Sequence, residues 1–395
     1  MQPDRTPLPA QDALRIAMLT HSVNPRGGVV HAVELGDALH RLGHAVTLHA
    51  PDPQQRGLFR KTQCGFVAVP GTVPDAGLAN LVRQRIADYV SWFERPDTPA
   101  YDVYHAQDTI SANALATLVE RGVIPGFVRT VHHLDAFDNP LFTEWQTRGF
   151  ERADRVLCVS RLWRDNLMTQ YGIAAEVVSN GVDIARYQPL PSDRDAVLRR
   201  RLGLGNGPVF LAVGGIEPRK NTLGILQAFI RVLRAYPQAQ LVIAGGVSLL
   251  DHGDYRRQFD RTASDAAIAI GPGRQMIILD QVDDEDMPAL FRCADALAFP
   301  SLKEGFGLVV LEAMASGTPA VVSRIAPFTE YLKGNSCAWV DPEDPGSIAA
   351  GLAHACDPIA AASLRAAGHE ICNRFSWSHA AASHVAVYLK ELSHA

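Results

Sequence analysis

The sequence has few cysteines, and their spacing excludes two classes of site. Of the 395 residues six are cysteine, with no C-x-x-C pair and no two at the short spacing of metal ligands. Their positions are Cys64, Cys158, Cys293, Cys337, Cys356 and Cys372. Cys158 and Cys293 lie in apolar runs, where a small buried hydrophobic residue is expected. This usage fits a reducing compartment, and we expect a cytoplasmic protein.

Long apolar segments are also missing. No apolar run reaches the roughly 20 residues that a membrane span needs. The polar, proline-containing N-terminus has no signal-peptide core, and we expect a disordered tail over residues 1–13. An amphipathic stretch carries Trp92 and Phe93 with Arg83 and Arg85. It could touch a membrane that holds a lipid acceptor, although packing on a sheet explains it better. A peripheral position at the inner membrane face therefore stays an alternative.

A positive charge balance is lacking as well. Lys plus Arg number 37 and Asp plus Glu number 42, so the net charge is −5. This balance argues against nucleic acid as a partner. No G-x-G-x-x-G follows the first apolar strand, which disfavours a dinucleotide oxidoreductase, and no G-x-x-x-x-G-K-[ST] is present, which disfavours a P-loop nucleotidase.

Apolar strands that alternate with helical patterns are what the chain does contain. This alternation is typical of βαβ units and parallel sheets. It pauses at Tyr187–Gly207, which is rich in proline and glycine and suits a connection between domains, and then restarts. The predicted fold class is therefore α/β, with two doubly wound domains whose ligands bind at the carboxyl ends of the strands. The predicted strands are Leu14–Thr20, Ala45–Ala50, Asp102–Ala106, Phe127–His132, Arg155–Ser160, Val209–Val213, Gln240–Ala244, Gln275–Leu279, Ala294–Pro300 and Ala320–Ser323.

The segment Ser301–Glu312, SLKEGFGLVVLE, carries the strongest functional signal. It directly follows the apolar strand ALAFP. Two glycines bracket Phe306 at the expected helix start, where free N–H groups would attract an anion or a sugar hydroxyl. Glu304 and Glu312 can accept hydrogen bonds from two parts of one ligand. From spacing alone, a helix with acidic residues that favour its dipole explains the pattern equally well.

EGFGLVVLE after a strand that ends in P-S resembles the E-x7-E segment of retaining family 4 glycosyltransferases of the GT-B fold. The likeness extends from about Arg15 to the last helix. It implies two Rossmann-like domains that face each other across a cleft. Residues 14–188 would bind the acceptor and residues 189–374 the nucleotide sugar, and residues 375–395 would form a C-terminal helix that packs on the N-terminal domain.

The resemblance also implies roles for single residues. Glu312 would bind the ribose hydroxyls of the nucleotide, and Glu304 would contact the transferred sugar. The backbone of Phe306, Gly307 and Leu308 would line the sugar and the diphosphate.

A second motif, Gly214–Asn221, places Arg219 and Lys220 together at a strand-to-helix turn. Fixed cations stabilise the charge that grows on a departing diphosphate. Lys220 matches the family's phosphate lysine. Many members carry an arginine where this chain has Gly215. Either Arg219 replaces that arginine as a diphosphate contact, or the diphosphate is bound differently. A solvated basic pair is the structural alternative, weakened because cations at a helix start oppose its dipole.

Two further motifs belong to the first domain. Gly27 and Gly28 precede a helix and could turn bare N–H groups towards a phosphate; the family places this loop against the donor phosphates, and an ordinary glycine turn is the alternative. In Thr130–Asp135, TVHHLD, His132 aligns with the family histidine beside the anomeric centre. Strand alternation puts His132 and His133 on opposite faces, and we select His132.

From these motifs and the resemblance we expect a retaining glycosyltransferase that moves a sugar from a UDP- or GDP-sugar to an unidentified hydroxyl on a sugar, small-molecule or lipid-linked acceptor. A non-catalytic nucleotide-sugar-binding protein and a sugar phosphorylase or epimerase on the same fold are the alternatives. We expect no cofactor and no metal, because the acids at Asp283–Asp286 precede a helical pattern and suit helix capping. The sequence does not indicate the donor base, the sugar or the oligomeric state.

Overall fold

The computed structural model describes residues 13–71, 77–245 and 252–392. The predicted disordered tail, residues 1–13, lies outside these ranges except for its last residue. Strands and helices alternate through the described chain, as the apolar pattern predicts. The strands are β1 (Arg15–Leu19), β2 (Ala45–Pro51), β3 (Gly65–Val69), β4 (Val103–Ala106), β5 (Val128–Val131), β6 (Arg155–Cys158), β7 (Ala175–Val177), β8 (Val209–Val213), β9 (Gln240–Ala244), β10 (Met276–Leu279), β11 (Ala296–Phe299), β12 (Ala320–Ser323) and β13 (Ala338–Val340).

The helices connect these strands. They are α1 (Gly27–Arg41), α2 (Leu78–Phe93), α3 (Thr109–Glu120), α4 (Pro140–Glu151), α5 (Arg161–Tyr171), α6 (Asp193–Leu202), α7 (Thr222–Val232), α8 (Gly253–Asp265), α9 (Met287–Arg292), α10 (Leu308–Ala315), α11 (Phe328–Tyr331), α12 (Pro345–Cys356), α13 (Pro358–Cys372) and α14 (Trp377–Leu392). A short 3-10 helix, Asp284–Asp286, precedes α9.

Two parallel sheets organise the chain. The first has the strand order β3-β2-β1-β4-β5-β6-β7, and the second has the order β10-β9-β8-β11-β12-β13. In each sheet the order reverses beside its first strand, between β1 and β4 and between β8 and β11. Loops diverge at such a switch point and leave a crevice at the carboxyl ends of the strands. The segments that follow β1 and β8 are those in which the sequence places glycines and cations.

Each sheet is covered by helices that bury apolar side chains. Residues 16–19 of β1 are completely buried, as expected for a parallel strand covered on both faces. One core joins the first sheet to α2 and α3 through Tyr89, Leu115 and Phe127. A second core joins the other sheet to α7 and α12 through Phe229 and Leu352.

Internal packing divides the chain into two compact units. The first contains the described residues up to Leu157 together with those from Ala381 onward, and the second is Cys158–Ala380. This division lies earlier than the expected boundary after residue 188. The assignment of residues 14–188 to the acceptor and of 189–374 to the donor stays a prediction about function.

The final helix contributes its second half to the first unit. On α14, the Tyr388 hydroxyl lies 2.7 Å from His105 Nδ1. Near its end Glu391 accepts a 2.7 Å bond from Arg155 Nε. The first unit is therefore assembled from two separate stretches of sequence.

The expected connection Tyr187–Gly207 contains a helix, α6. Ser192 and Asp195 form a capping box at its start, and Gly203 ends it in the left-handed conformation with φ 65°. Acids in the first turn and arginines in the last turn both favour the helix dipole. These signals were present in the sequence, although the surrounding prolines and glycines obscured them.

The amphipathic stretch around Trp92 forms α2 and turns much of its surface inward. Phe93 and Arg85 are buried, and Arg85 Nη1 lies 3.0 Å from Asp88 Oδ2. This arrangement matches packing on the sheet. Within the described ranges, no helix has the length and apolarity required to cross a membrane.

Candidate functional site

The loop after β8 brings a lysine side chain against bare backbone. Gly214 and Gly215 both have positive φ, 126° and 77°, which glycine adopts without strain. A Cβ on Gly214 would lie 2.6 Å from Lys220 Cε. Thr222 Oγ1 donates a 2.8 Å bond to the Gly215 carbonyl and fixes the loop. The missing side chain at Gly214 thus creates the space that the Lys220 side chain fills.

Both predicted cations of the second unit converge on one carboxylate oxygen. Lys220 Nζ donates to Glu304 Oε1 at 2.6 Å, and Arg219 Nη1 donates to the same oxygen at 2.9 Å. Glu217 lies farther out, with Oε2 3.9 Å from Arg219 Nη2. The sequence separates the cations from Glu304 by more than 80 positions, and the adjacent strands β8 and β11 bring them together.

This ion cluster lies largely away from water. The Glu304 side chain is 7% exposed. Burial lowers the pKa of Lys220 and the neighbouring Arg219 adds to this, while Glu304 opposes both effects. The Lys220 ammonium also lies 4.5 Å from the ring centroid of Phe299, a favourable cation–π position. Partly desolvated cations in fixed positions form a strong anion site.

The loop from Glu304 to Gly307 is held by aromatic side chains. Trp163 Nε1 donates to the Glu304 carbonyl at 3.2 Å, and the Tyr331 hydroxyl donates to the Phe306 carbonyl at 3.1 Å. The Phe306 and Tyr331 rings stack with centroids 4.7 Å apart. Gly307 adopts φ 92° directly before α10, and a Cβ there would lie 2.6 Å from the Phe328 ring. The Phe306 ring is therefore part of the packing, which leaves its backbone as the expected contact group.

The remaining predicted donor residues lie on α10. Leu308 is its first residue, and Glu312 follows just over one turn later. Both are partly exposed. The structure thus places Arg219, Lys220, Glu304 and the start of α10 within one unit. They lie in the two segments that follow the carboxyl ends of the adjacent strands β8 and β11.

A second group of predicted residues lies in the first unit. The helix α1 begins at Gly27 without a side-chain cap from Arg26. A Cβ on Gly28 would lie 3.3 Å from His132 Cδ2, so glycine allows the helix start to approach the imidazole closely. His132 follows β5 directly, and its Nε2 lies 3.0 Å from Gln107 Oε1.

The surroundings of His132 favour the neutral imidazole. Burial holds its pKa well below the usual value, and the positive potentials of His31, Arg129, His133 and His105 lower the pKa further. The His31 ring packs edge-on at 4.7 Å between centroids. At neutral pH His132 therefore carries no charge.

The structure also shows site residues that sequence reasoning missed. Gln107, which follows β4, contacts His132, and Trp163 and Tyr331 support the Glu304 loop. The position of Gln107 at the carboxyl end of a strand was the available signal. The two aromatic residues gave none, because their contacts span distant parts of the sequence.

Three of the four acids at Asp283–Asp286 pair with arginines, namely Asp284, Glu285 and Asp286. The expected helix capping is not seen, because neither Asp283 nor Asp286 makes a side-chain cap bond. Asp286 accepts from Arg194 Nη1 at 3.0 Å and from Arg201 Nη2 at 2.5 Å. Asp284 Oδ2 lies 2.7 Å from Arg186 Nη2. Across the described part of the chain, no group of three or more His, Cys, Asp or Glu side chains is arranged to hold a metal ion.

The cysteines are buried or partly buried thiols that pack within the structure. All six are free thiols, and all but the partly buried Cys356 are buried. Burial raises the pKa of Cys64, Cys158, Cys337, Cys356 and Cys372 to about 12. Thiols with such values stay protonated and unreactive at neutral pH.

Comparison with known proteins places both halves of the chain in one group of enzymes. Residues 25–186 match the model "Glycosyltransferase Family 4", and residues 195–358 match "Glycosyl transferases group 1". The D-inositol 3-phosphate glycosyltransferase of Salinispora arenicola is 30% identical over 315 residues, which cover 73% of this chain and 68% of the relative. A GDP-mannose-dependent alpha-(1-6)-phosphatidylinositol monomannoside mannosyltransferase of Mycolicibacterium smegmatis is 33% identical over 238 residues, covering 57% and 59% of the two chains.

Solved structures show the same architecture. The sucrose-phosphate synthase from Thermosynechococcus elongatus superposes with a TM-score of 0.78 at 19% identity, covering 97% of this chain and 100% of that chain. At this identity the likeness concerns the fold, which is the two-domain Rossmann-like GT-B fold. With both family models and a relative of this extent matched, the chain belongs to glycosyltransferase family 4 of the group 1 glycosyl transferases and is a transferase of that class.

Proposed function

We propose that this chain transfers a sugar from a nucleotide-diphosphate sugar to an acceptor hydroxyl with retention at the anomeric carbon. The observation that carries this proposal is the convergence of Lys220 and Arg219 on one buried carboxylate oxygen of Glu304. Two cations fixed at the carboxyl ends of a Rossmann-like sheet suit a diphosphate group.

In this proposal the diphosphate replaces Glu304 as the partner of the two cations. The Glu304 carboxylate, released from Lys220, then accepts a hydrogen bond from a hydroxyl of the sugar. Charge on the diphosphate increases as the glycosidic bond breaks, so Lys220 and Arg219 bind the transition state more strongly than the ground state. Arg219 thereby supplies the charge that Gly215 cannot.

His132 acts beside the anomeric carbon, as the family resemblance implies. A sugar that loses its leaving group develops positive charge at that carbon. A neutral imidazole tolerates this charge, whereas an imidazolium would repel it. The acceptor oxygen bonds to the anomeric carbon on the face that the diphosphate vacates, so the step needs no enzyme nucleophile. The proton of the acceptor hydroxyl passes to the departing phosphate oxygen, so the step needs no enzyme base. Glu312 and the backbone from Phe306 to Leu308 bind the ribose and the diphosphate.

The acceptor is a hydroxyl on a sugar, a small molecule or a lipid-linked sugar. Two of the relatives are named for inositol-containing acceptors, so inositol phosphates are the first acceptors to test. A lipid-linked acceptor would place the chain peripherally at a membrane surface. Flotation with acceptor-containing vesicles would detect that position, and recovery only in the unbound fraction would exclude it.

The test is a transfer assay followed by NMR. The purified chain is incubated with UDP-, GDP- and ADP-linked glucose, mannose and N-acetylglucosamine and with inositol phosphates. We expect one donor to be consumed only with an acceptor present, and the one-bond C1–H1 coupling of the product to show the donor's anomeric configuration. Inversion would contradict the proposed chemistry. A requirement for inorganic phosphate would indicate a phosphorylase. Isomerisation of the donor without an acceptor would indicate an epimerase, and binding without turnover would indicate the non-catalytic alternative.

The proposed transfer also needs no metal ion, because the cations that face the diphosphate are side chains. We expect the same rate after dialysis against EDTA. A rate that falls and returns with added divalent cation would contradict this part of the proposal.

A further inference from the structure

The first unit contains a chain of hydrogen-bonded polar side chains that leads from His132 to the C-terminal helix. Gln107 Oε1 lies 3.0 Å from His132 Nε2, and its amide nitrogen lies 3.2 Å and 3.4 Å from the two ring nitrogens of His105. His105 Nε2 contacts Thr130 Oγ1 at 2.7 Å, and His105 Nδ1 contacts the Tyr388 hydroxyl at 2.7 Å.

Beyond the partly exposed His132, this chain of side chains is buried. Gln107 is 2% exposed, and His105, Thr130 and Tyr388 are 0% exposed. Hydrogen bonds in such surroundings are costly to break, because each group would lose its partner without gaining water. Both ring nitrogens of His105 already have partners, so the amide nitrogen of Gln107 lies over the face of this ring. An N–H group is favoured over an amide oxygen at a ring face, so Gln107 keeps its oxygen towards His132.

That orientation has a chemical consequence for the imidazole. An amide oxygen can only accept a hydrogen bond, so the hydrogen of neutral His132 lies on Nε2 and the lone pair lies on Nδ1. The ring itself is held from the other side by the start of α1, since His31 packs against its edge and Gly28 approaches its Cδ2 atom. Packing fixes the ring, and Gln107 fixes the proton.

We propose that Gln107 is a positioning residue for the transfer reaction: it selects the Nε2–H tautomer of His132 without adding a charge that would stabilise the imidazolium, and His105 and Tyr388 hold it in place. This inference rests on the proposed role of His132. It explains why the partner is an amide, because a carboxylate at the same place would stabilise the imidazolium.

The groups around His132 agree with this interpretation. Those that act on its charge are His31 from α1, Arg129 from β5, His133 just after β5, and His105 from β4. Every one of them disfavours the imidazolium. A carboxylate at position 107 would therefore add the one interaction that favours it.

The decisive variant is Gln107→Glu, which has nearly the same shape. We expect the acidic limb of its pH–kcat profile to move up by about 1–3 pH units relative to the wild type. The affinity for the nucleoside diphosphate should be unchanged. The matched control is Gln170→Glu, which adds the same charge at an exposed position of α5 and should leave the profile in place. A Gln107→Glu profile that overlays the wild-type profile would overturn the proposal.

Two more measurements separate this proposal from simple misfolding and from the proposed function itself. Tyr388→Phe removes only the hydroxyl at the end of the chain of side chains that is farthest from His132. We expect a fall in kcat that is smaller than the fall caused by Gln107→Glu, and an unchanged affinity for the nucleoside diphosphate. Long-range 1H–15N spectra of the labelled full chain, with His132 assigned through His132→Gln, report the tautomer without any turnover. A His132 signal of the Nδ1–H type would overturn the proposal, whereas absent transfer with the Nε2–H signal would count against the proposed function alone.

Discussion

At the scale of single residues, two cations of the second unit share one carboxylate oxygen. Lys220 and Arg219 share Glu304 Oε1, and Glu217 Oε2 lies 3.9 Å from Arg219 Nη2, so the charges of the cluster are largely compensated. A diphosphate brings at least two negative charges and competes with a single carboxylate oxygen for the same donors. The cations therefore stay ordered without a ligand, and little reorganisation is needed when one binds.

Removal of the Lys220 ammonium should weaken both diphosphate binding and catalysis. We expect Lys220→Ala to lower kcat/KM for transfer by about 10²- to 10³-fold, because a fixed cation facing the leaving group is lost. Steady-state assays measure this change. Lys333→Ala, at an exposed lysine in the same unit, is the control and should behave like the wild type. A Lys220→Ala rate within a few-fold of the wild-type rate would exclude the proposed role.

The sequence identified most of these residues but not their partners. Lys220, Glu304 and His132 could be selected because they stand at strand ends in motifs of recognisable spacing. Their contacts could not be predicted, since Glu304 meets Lys220 and His132 meets Gln107 only after distant strands pair. The shared oxygen and the tautomer of His132 are properties of the fold.

At the scale of elements, the start of α10 depends on one glycine. Gly307 has φ 92°, and a side chain there would meet the Phe328 ring. We expect Gly307→Ala to destabilise the chain by about 1–3 kcal/mol from backbone strain alone, with a further cost from the clash, and to weaken nucleotide binding. Urea unfolding and nucleotide titration measure the two effects.

Gly334 provides a matched comparison for this element. It also has positive φ, 57°, but a Cβ there would meet nothing within 4 Å. Gly334→Ala should therefore be the milder change and should leave nucleotide binding intact. Equal losses in both variants would show that the contact with Phe328 is unimportant.

Elements with long apolar patterns were the ones that the sequence predicted well. Strands such as β1, β8 and β9 agree with the expected ranges to within two residues at each end. The three-residue strands β7 and β13 were not predicted, because so few residues give no periodicity. The helix α6 was hidden in a segment whose composition favoured a linker.

At the scale of the whole molecule, buried histidines make stability depend on pH. Burial lowers the pKa of His49 to about 3 and holds those of His105 and His132 well below the usual value. The unfolded chain binds protons at these positions from about pH 6.5 downward, whereas the folded chain does not. Their stabilising contribution is therefore complete above that pH and is lost as pH falls towards the folded values.

The expected size of this effect is about 1.4 kcal/mol per pH unit for each such histidine below pH 6. Urea unfolding between pH 7 and pH 5.5 measures it, because most carboxylates stay ionised over this range. His49→Gln should reduce the change in the free energy of unfolding per pH unit. His369→Gln, at an exposed position, should leave this pH dependence unchanged. A free energy of unfolding that does not vary with pH in this window would contradict the assignment of buried neutral histidines.

The family and the two-sheet architecture could be recognised from sequence, because a fold with regular alternation leaves a pattern along the whole chain. The substrates could not, since the acceptor contacts a surface whose side chains follow no fixed spacing. Identification of the substrates therefore requires direct measurement with candidate donors.

We propose that the chain binds a nucleotide-diphosphate sugar through Lys220, Arg219 and the segment from Glu304 to Glu312. A thermal-shift titration with UDP, GDP, ADP and their sugar conjugates tests it most directly. We predict that one nucleotide family stabilises the wild type, by about 2.7 kcal/mol at 100 times the dissociation constant, and that Glu312→Ala and Lys220→Ala lose most of this stabilisation. Equal stabilisation of both variants, or none of the wild type by any of these ligands, would contradict the account.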